Sequence, residues 1–298
     1  MPADTSGQAE IRDLFISRLL KGFADEVLVF KGLVTTTPTS AREIRWQQKT
    51  SGFLAGVTTT GMTTNIGANM SQLAQPSVIR QSFTRNTSYV REFFHETPLI
   101  SDQDVKDNMV GLLAVHIRDL VRKIAYDVNT HIWNALSSEG TGALGNILSG
   151  NATVMWDQAS GVKITTDIER GKEAIREQNY EPTHLFLMPH DYASLMIELV
   201  ETRGSGVPGF SSQKIANGVI TEVLGLTVVV SPSVVKGTSG NALVCNPAQA
   251  VTYYEFTGLN SRTIEEPMIG VKIRAKEEGF ASLTDVNASY LIKGTNND

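Results

Sequence analysis

The sequence predicts an α+β fold built around one very long helix. Three observations predict it. Between Asp102 and about Ser138 there is no proline and one glycine, Gly111, while Val105, Met109, Leu112, Leu113, Ile117, Leu120, Ile124, Val128, Ile132 and Leu136 recur at helical spacing. Ahead of it, residues 35–89 are rich in Thr, Ser, Asn, Gln and Gly, with two strand-like stretches around a polar middle. Behind it, residues 165–256 run helix, strand, helix, strand, strand, the order of a compact α/β unit.

The elements come in order along the chain. Residues 1–35 begin polar, continue as a short amphipathic helix (Ile11, Leu14, Phe15, Leu19, Leu20) and end in an extended run, Val27–Val34. Arg42–Lys49 alternates, with Ile44 and Trp46 on one face, and Val78–Glu92 alternates again. The stretch between them is too polar to build a core, and structureless loops of that length are uncommon inside compact domains. A long hairpin projecting from the body fits best. Two-stranded hairpins are marginal alone in water, so this one needs a surface to lie on. In the long helix, Ser101 and Asp104 read as a capping box, and Asp102, Asp104 and Asp107 suit the positive helix end. Gly140 and Gly142 stop it, and at 1.5 Å per residue its length is roughly 50 Å. Gly140–Met155 reads as loop. Then come a helix at Thr165–Asn179 (Ile168, Ala174 and Ile175 inward), a strand at His184–Pro189 and a helix at Asp191–Val200. A Gly/Pro/Ser loop, Arg203–Gln213, precedes strands Leu226–Val230, Ala242–Cys245 and Val251–Phe256. Gly270–Lys276 and Ser289–Lys293 read as tail strands. No internal repeat is visible.

Composition excludes several functions. The net charge is −5 with Lys and Arg scattered, which is no nucleic-acid signature. The single cysteine, Cys245, excludes a disulfide framework and multi-cysteine metal sites. No apolar run approaches the ~18 residues of a membrane span, and the N-terminus lacks the regions of a signal peptide. Gly140–Gly145 matches G-x-G-x-x-G, but a helix precedes it where a nucleotide fold needs a strand, so it reads as a helix stop. His95, His116, His131, His184 and His190 show no metal-ligand spacing. Cys245, in the apolar strand ALVC, reads as an inert buried thiol rather than a nucleophile. Helix capping explains Asp102, Asp104 and Asp107, and Glu277–Glu278 reads as a solvated turn. No catalytic, cofactor or metal residue emerges. Trp46, Phe53 and Leu54 on an otherwise polar hairpin read instead as interface anchors, and Arg203–Gln213 as a loop tip that packs on symmetry copies or serves as a lid.

Taken together, the order of elements resembles the major capsid protein of tailed bacteriophages, the Hong Kong ninety-seven-type fold shared by encapsulin compartments. The likeness covers nearly the whole chain. PTHLFLMPHDYASLMIEL (Pro182–Leu199) is similar to the strand-Pro-helix signature of the family's axial domain, and Gly225–Phe256 to that domain's closing strands. MIGVKIRAKEEG and the tail resemble its peripheral strands. The resemblance implies an N-arm at 1–35, an extended loop at 36–92, a peripheral domain with the spine helix at 93–155, an axial domain at 156–256, and peripheral C-terminal strands at 257–298.

The same resemblance implies a shell subunit and no enzyme. Copies would form pentamers and hexamers of an icosahedral head around double-stranded DNA held without sequence preference, assembled in a host cytoplasm, with no membrane partner. Separate scaffolding, portal and decoration proteins remain open as partners. Arg203, Pro208 and Phe210 would face the capsomer centre. The extended loop would lie on a neighbouring subunit and bury Trp46 and Phe53 there. Little more than 20 residues precede the arm-like strand, which implies no large cleaved prodomain. Some members crosslink a loop lysine to a peripheral asparagine; Lys49 and Asn260 lie in similar regions, although most of the family lacks this chemistry. An encapsulin-type compartment is the alternative, and after it a soluble α/β enzyme using Cys245 or a histidine.

Overall fold

The computed structural model describes residues 28–50, 82–101, 103, 112–138, 147–158, 163–201, 221–234, 240–266 and 269–296. The chain divides into two compact units. The first takes residues up to 44, then 87–135 and 251–282. The second takes 45–86, 136–250 and 283–298.

The second unit is organised by apolar runs. Its six-stranded sheet has the order β6-β13-β10-β7-β9-β8. The strands are β6 (Leu148–Asn151), β7 (His184–Leu187), β8 (Glu222–Val223), β9 (Leu226–Val230), β10 (Asn241–Cys245) and β13 (Ser289–Lys293). The central strands β7 and β10 read HLFL and NALVC, and Leu185, Phe186, Leu187, Leu243, Val244 and Cys245 are all fully buried. Burial on both faces is what continuous apolar runs, rather than alternating ones, signal. Helix α3 (Ile164–Glu177) buries Ile164, Ile168, Gly171 and Ile175, spaced four, three and four residues apart, along one stripe. Gly171 lets α3 come close: a Cβ there would stand 3.0 Å from the Tyr290 ring and 3.2 Å from Val244. Helix α4 (Pro189–Glu201) adds Leu195 and Leu199 to the same core.

Polar clasps finish this unit. Buried Asp167 accepts hydrogen bonds from Thr153 N (3.1 Å), Thr153 Oγ1 (2.6 Å) and Trp156 Nε1 (3.2 Å), which fastens the segment after β6 to α3. Buried Asp191 accepts from Thr295 Oγ1 (2.9 Å) and Asn296 Nδ2 (3.0 Å). Burial raises the Asp191 pKa, opposed by these two hydrogen bonds. Between β8 and β9 the chain turns through Leu224 and Gly225, both at positive φ, as a two-residue hairpin turn requires. Lys172 Nζ holds that turn by donating to the Leu224 carbonyl at 2.8 Å.

In the first unit, a five-stranded sheet runs β1-β11-β12-β4, with β5 also paired to β12. These are β1 (Thr35–Pro38), β4 (Arg91–Glu96), β5 (Ile100–Ser101), β11 (Val251–Glu266) and β12 (Gly270–Leu283). Helix α2 (Leu112–Leu136) buries Ile117, Leu120, Val121, Ile124, Val128 and Ile132 at helical spacing. It meets the sheet through His131, whose Nε2 accepts a hydrogen bond from Ala281 N at 3.1 Å and whose ring lies between those of Phe93 and Phe280. A short helix, α1 (Val29–Leu33), buries Phe30 and sends Lys31 Nζ to buried Glu277 at 2.7 Å. Tyr253 donates to the same carboxylate at 3.2 Å, passing over Gly279, where a Cβ would lie 2.2 Å from its hydroxyl oxygen. Glu277 is thus the buried partner of Lys31 and Tyr253, not a member of a solvated turn; Glu278 is buried as well.

Several expectations change. Val27–Val34 is not one extended run: Val29–Leu33 is helical, because one turn places Phe30 in the core with its N–H on Asn129 Oδ1. Residues 36–38 and 91–92, read as part of the extended loop, lie in the five-stranded sheet. Leu148–Asn151, read as loop, and Ser289–Lys293, read as a peripheral strand, pair with each other in the six-stranded sheet. Their register puts Leu291 and Ile292 against Leu243 and Ala242 of β10, so the apolar content of β13 is used in that core. The helix capping residues Asp102, Asp104 and Asp107, with Gly111, and the stop at Gly140–Gly145 lie outside the described residues.

Candidate inter-subunit surface

The alternation of Arg42–Lys49 forms β2 (Glu43–Lys49), which pairs with β3 (Phe83–Tyr89) as a two-stranded ribbon. One face of β2 is buried at Ile44, Trp46 and Gln48, while Glu43, Arg45 and Gln47 are exposed. Trp46 is 4% exposed within its own chain. It is therefore not the exposed anchor expected from the sequence: the alternation that carries the strand prediction already places it on the inward face.

Each end of β2 is tied down. At its start, in the first unit, Arg42 pairs with Glu92 at 3.0 Å and Glu278 at 3.7 Å and lies over the Phe256 ring. At its end, in the second unit, Lys49 Nζ donates to Tyr180 Oη at 2.7 Å and stands 3.3 Å from Asp285 Oδ2. Tyr180 donates to Asp285 in turn, and Lys49 N bonds the Thr284 carbonyl at 2.8 Å. Burial opposes the charge on Lys49, but the hydrogen bond to Tyr180 and the Asp285 carboxylate outweigh it and raise its pKa. Within the chain Lys49 is a structural cation, paired with Asp285 and bonded to Tyr180. Just beyond it Thr50 N bonds the Ser82 carbonyl at 3.0 Å, closing the root of the stretch 51–81.

The first unit's sheet also carries a groove of 370 Å³ lined in part by Glu92, Phe94, Asn260, Arg262, Arg274 and Lys276. In register, Lys276 faces Phe94 and Arg274 faces Glu96, so these side chains share one sheet face. Phe94 is half exposed and Asn260 is exposed. Of the other residues proposed for subunit contacts, Phe53, Leu54, Arg203, Pro208 and Phe210 lie outside the described residues.

Catalytic chemistry finds little support. Burial pushes the Cys245 thiol well above its usual pKa, so it stays protonated although it faces His184 in the β7–β10 register. Burial lowers the His184 pKa, and its Nδ1 is engaged by Thr183 Oγ1. His95 pairs with Asp127 of α2 at 2.6 Å, a contact between sheet and helix. Among the described residues no group of three acidic, histidine or cysteine side chains is placed to hold a metal ion. No described helix is long and apolar enough to cross a membrane.

The phage capsid protein family model matches residues 99–290, from β5 through the first residues of β13. No curated protein sequence matches. Solved structures similar to this chain include a virus-like particle from Pyrococcus furiosus, at TM-score 0.62 and 10% identity over 95% of this chain and 99% of that one. The capsid of cyanophage P-SCSP1u stands at 0.56 and 15%, over 87% and 86%. Mycobacterium phage Che8 stands at 0.55 and 10%, over 86% of each chain. Identities this low speak for the fold: a capsid fold of the Hong Kong ninety-seven type.

Proposed function

This chain belongs to the phage capsid protein family, and from that premise we propose that it is the repeating shell subunit of a tailed-phage head. The match over residues 99–290 carries the reading, since it takes in α2, α3 and α4, strands β6 to β10 of the six-stranded sheet and strands β5, β11 and β12 of the other, rather than one motif. In the proposal, copies assemble into pentamers and hexamers that close an icosahedral head around double-stranded DNA. Residues 156–256 act as the axial domain, with Arg203, Pro208 and Phe210 toward the capsomer centre. Phe53 and Leu54, in the loop rooted at Lys49, lie on a neighbouring subunit. The five-stranded sheet with α2 acts as the peripheral domain, now joined by β1 and without β13. The net charge of −5 suits a container that leaves its genome to counterions. Assembly takes place in the host cytoplasm, with separate scaffolding, portal and decoration proteins as possible partners.

A second reading is favoured by the likeness to the Pyrococcus furiosus particle, which spans nearly all of both chains: a protein compartment that holds cargo instead of a genome. Negative-stain electron microscopy of the chain expressed alone, after size exclusion, tests both. Closed particles or capsomer rings support a shell subunit. Particles containing a bound protein and no DNA favour the compartment. Small discrete oligomers, unchanged by co-expression with the neighbouring structural genes, overturn both.

A further inference from the structure

In the first unit, the buried carboxylate of Glu277 depends on a cation carried by α1. Glu277 is fully buried in β12. Its Oε1 accepts from Lys31 Nζ at 2.7 Å and from Tyr253 Oη at 3.2 Å. Its Oε2 is buried with no hydrogen-bond partner. Tyr253 brings a dipole but no charge: burial and the Glu277 carboxylate raise its pKa, so it keeps its proton. On β4 the register sets Phe93 opposite Glu277, with Arg91 and His95 two residues to either side. Arg91 is exposed, and His95 is engaged by Asp127 of α2. His131 of α2 is neutral, its pKa lowered by burial, and lies between Phe93 and Phe280. Glu255 of β11 adds a second negative charge, 3.4 Å from Lys31. Among the described residues Glu277 forms no ion pair besides the one with Lys31, which the two carboxylates share.

The helix that carries Lys31 is five residues long, too short to persist by itself in water. Its other ties are the buried Phe30 side chain and the Phe30 N–H, which donates to Asn129 Oδ1 of α2 at 3.3 Å. When α1 lifts away, Lys31 leaves with it. The Glu255 side chain is 29% exposed and stays ionised in contact with water. Glu277 keeps its cover from Tyr253 and β4, and a buried carboxylate stripped of its cation takes up a proton rather than remain charged. We infer that α1 undocks with uptake of one proton by Glu277, so that Lys31 and Glu277 form a latch that acid opens. The proton comes from water, and Oε2, the oxygen without a partner, is free to receive it. Residues 1–27 join the described part of the chain at α1, so the latch governs the point from which that segment departs. The sign follows from linkage. The undocked state binds one proton more than the docked state, so opening is favoured as pH falls, by up to about tenfold per pH unit.

Hydrogen exchange on the unassembled full chain tests the latch without any substitution. The Phe30 amide bonds Asn129 and the Val34 amide bonds the Phe30 carbonyl, so their protection, corrected for intrinsic exchange at each pH, reports how often α1 opens. The expected result is protection that falls roughly five- to tenfold for each unit between pH 7 and pH 5. The Ala281 amide, bonded to His131, reports the opening of α2 from the sheet and is expected to stay better protected throughout. Glu277→Gln keeps an acceptor for Tyr253 and removes the titrating group, so Phe30 protection is expected to become level over the same range. Level protection in the unmodified chain overturns the inference. A slope that survives Glu277→Gln also overturns it, because the proton then sits on another group, such as Glu255. Equal protection at Phe30 and Ala281 does the same, since α1 then opens only together with the rest of the unit. None of these readouts requires particles, so the latch stands or falls independently of the shell reading.

Discussion

The strands β10 and β11 are consecutive in the chain with only the helical turn Pro247–Ala250 between them, yet they are built on opposite terms. β10 has a neighbour on both edges along most of its length and apolar cover on both faces. β11 begins buried at Val251 and Tyr253, then runs on for thirteen residues, none of them buried. The first is complete within one chain. The second is a strand that β1 covers along only four residues of one edge among the described residues. A shell subunit needs both kinds: a core that folds before assembly and surfaces that are satisfied only after it.

The sharpest way to break the comparison is to remove one large side chain from each strand's surroundings. Phe186→Ala, in β7 beside β10, is expected to cost about 4 kcal/mol, since truncating a fully buried phenylalanine loses transfer energy and leaves a cavity. Leu259→Ala on β11 is expected to stay within ~1 kcal/mol in the free subunit. Denaturant unfolding of unassembled protein checks both, and equal losses would erase the contrast.

A second test uses pH to act on the first unit alone. Burial, with Arg91 as the lesser cause, lowers the His131 pKa to about 4. The neutral ring accepts the Ala281 N–H, which an imidazolium cannot do. A depressed histidine pKa means the unfolded chain binds the proton first. The contribution is therefore whole above pH ~6.5 and is lost as pH falls toward 4, amounting to about 3 kcal/mol at 1.36 kcal/mol per pKa unit. His131→Gln keeps an acceptor and should flatten this part of the stability profile between pH 6.5 and 4.

A smaller effect than that of His131 is expected at the ribbon root. Lys49→Met removes a partly buried cation but leaves Asp285 with the Tyr180 hydroxyl and Asn287 N–H, so a loss of about 1–2 kcal/mol is expected. The raised Lys49 pKa works in the reverse sense to His131. Its own titration contributes fully below pH ~10.4 and is lost only as pH rises through the folded value, so Lys49→Met should leave the His131 part of the acid limb unchanged. Thermal unfolding from pH 4 to 8 separates the two variants.

Legibility in the sequence divides along the same line. HLFL, LTVVV and NALVC announce their strands because burial on both faces leaves uninterrupted apolar runs. Ile164, Ile168 and Ile175 announce α3 through their spacing. By contrast TGLNSRTIEE, the outer part of β11, has the composition of a turn, and the strand reads as ending at Phe256, because a half-exposed strand is under little pressure to be apolar. LSGN is hidden for a different reason: β6 is a short edge strand joined in parallel to β13, a pairing set by tertiary contacts. At the candidate surface, Lys49 is legible as a ribbon residue, but its partners Tyr180 and Asp285 are 131 and 236 positions away and leave no local signal. Trp46 is misjudged when the polar character of the ribbon is weighed above the face it shares with Ile44.

The buried thiol of Cys245 gives the molecule a built-in clock. Being the one sulfhydryl in the sequence, and sealed between β7 and β13, it is shielded from any reagent in water until the six-stranded sheet parts. Its rate of alkylation therefore measures how often that sheet opens, in a free subunit or in a finished shell, without a label, a tag or a single substitution.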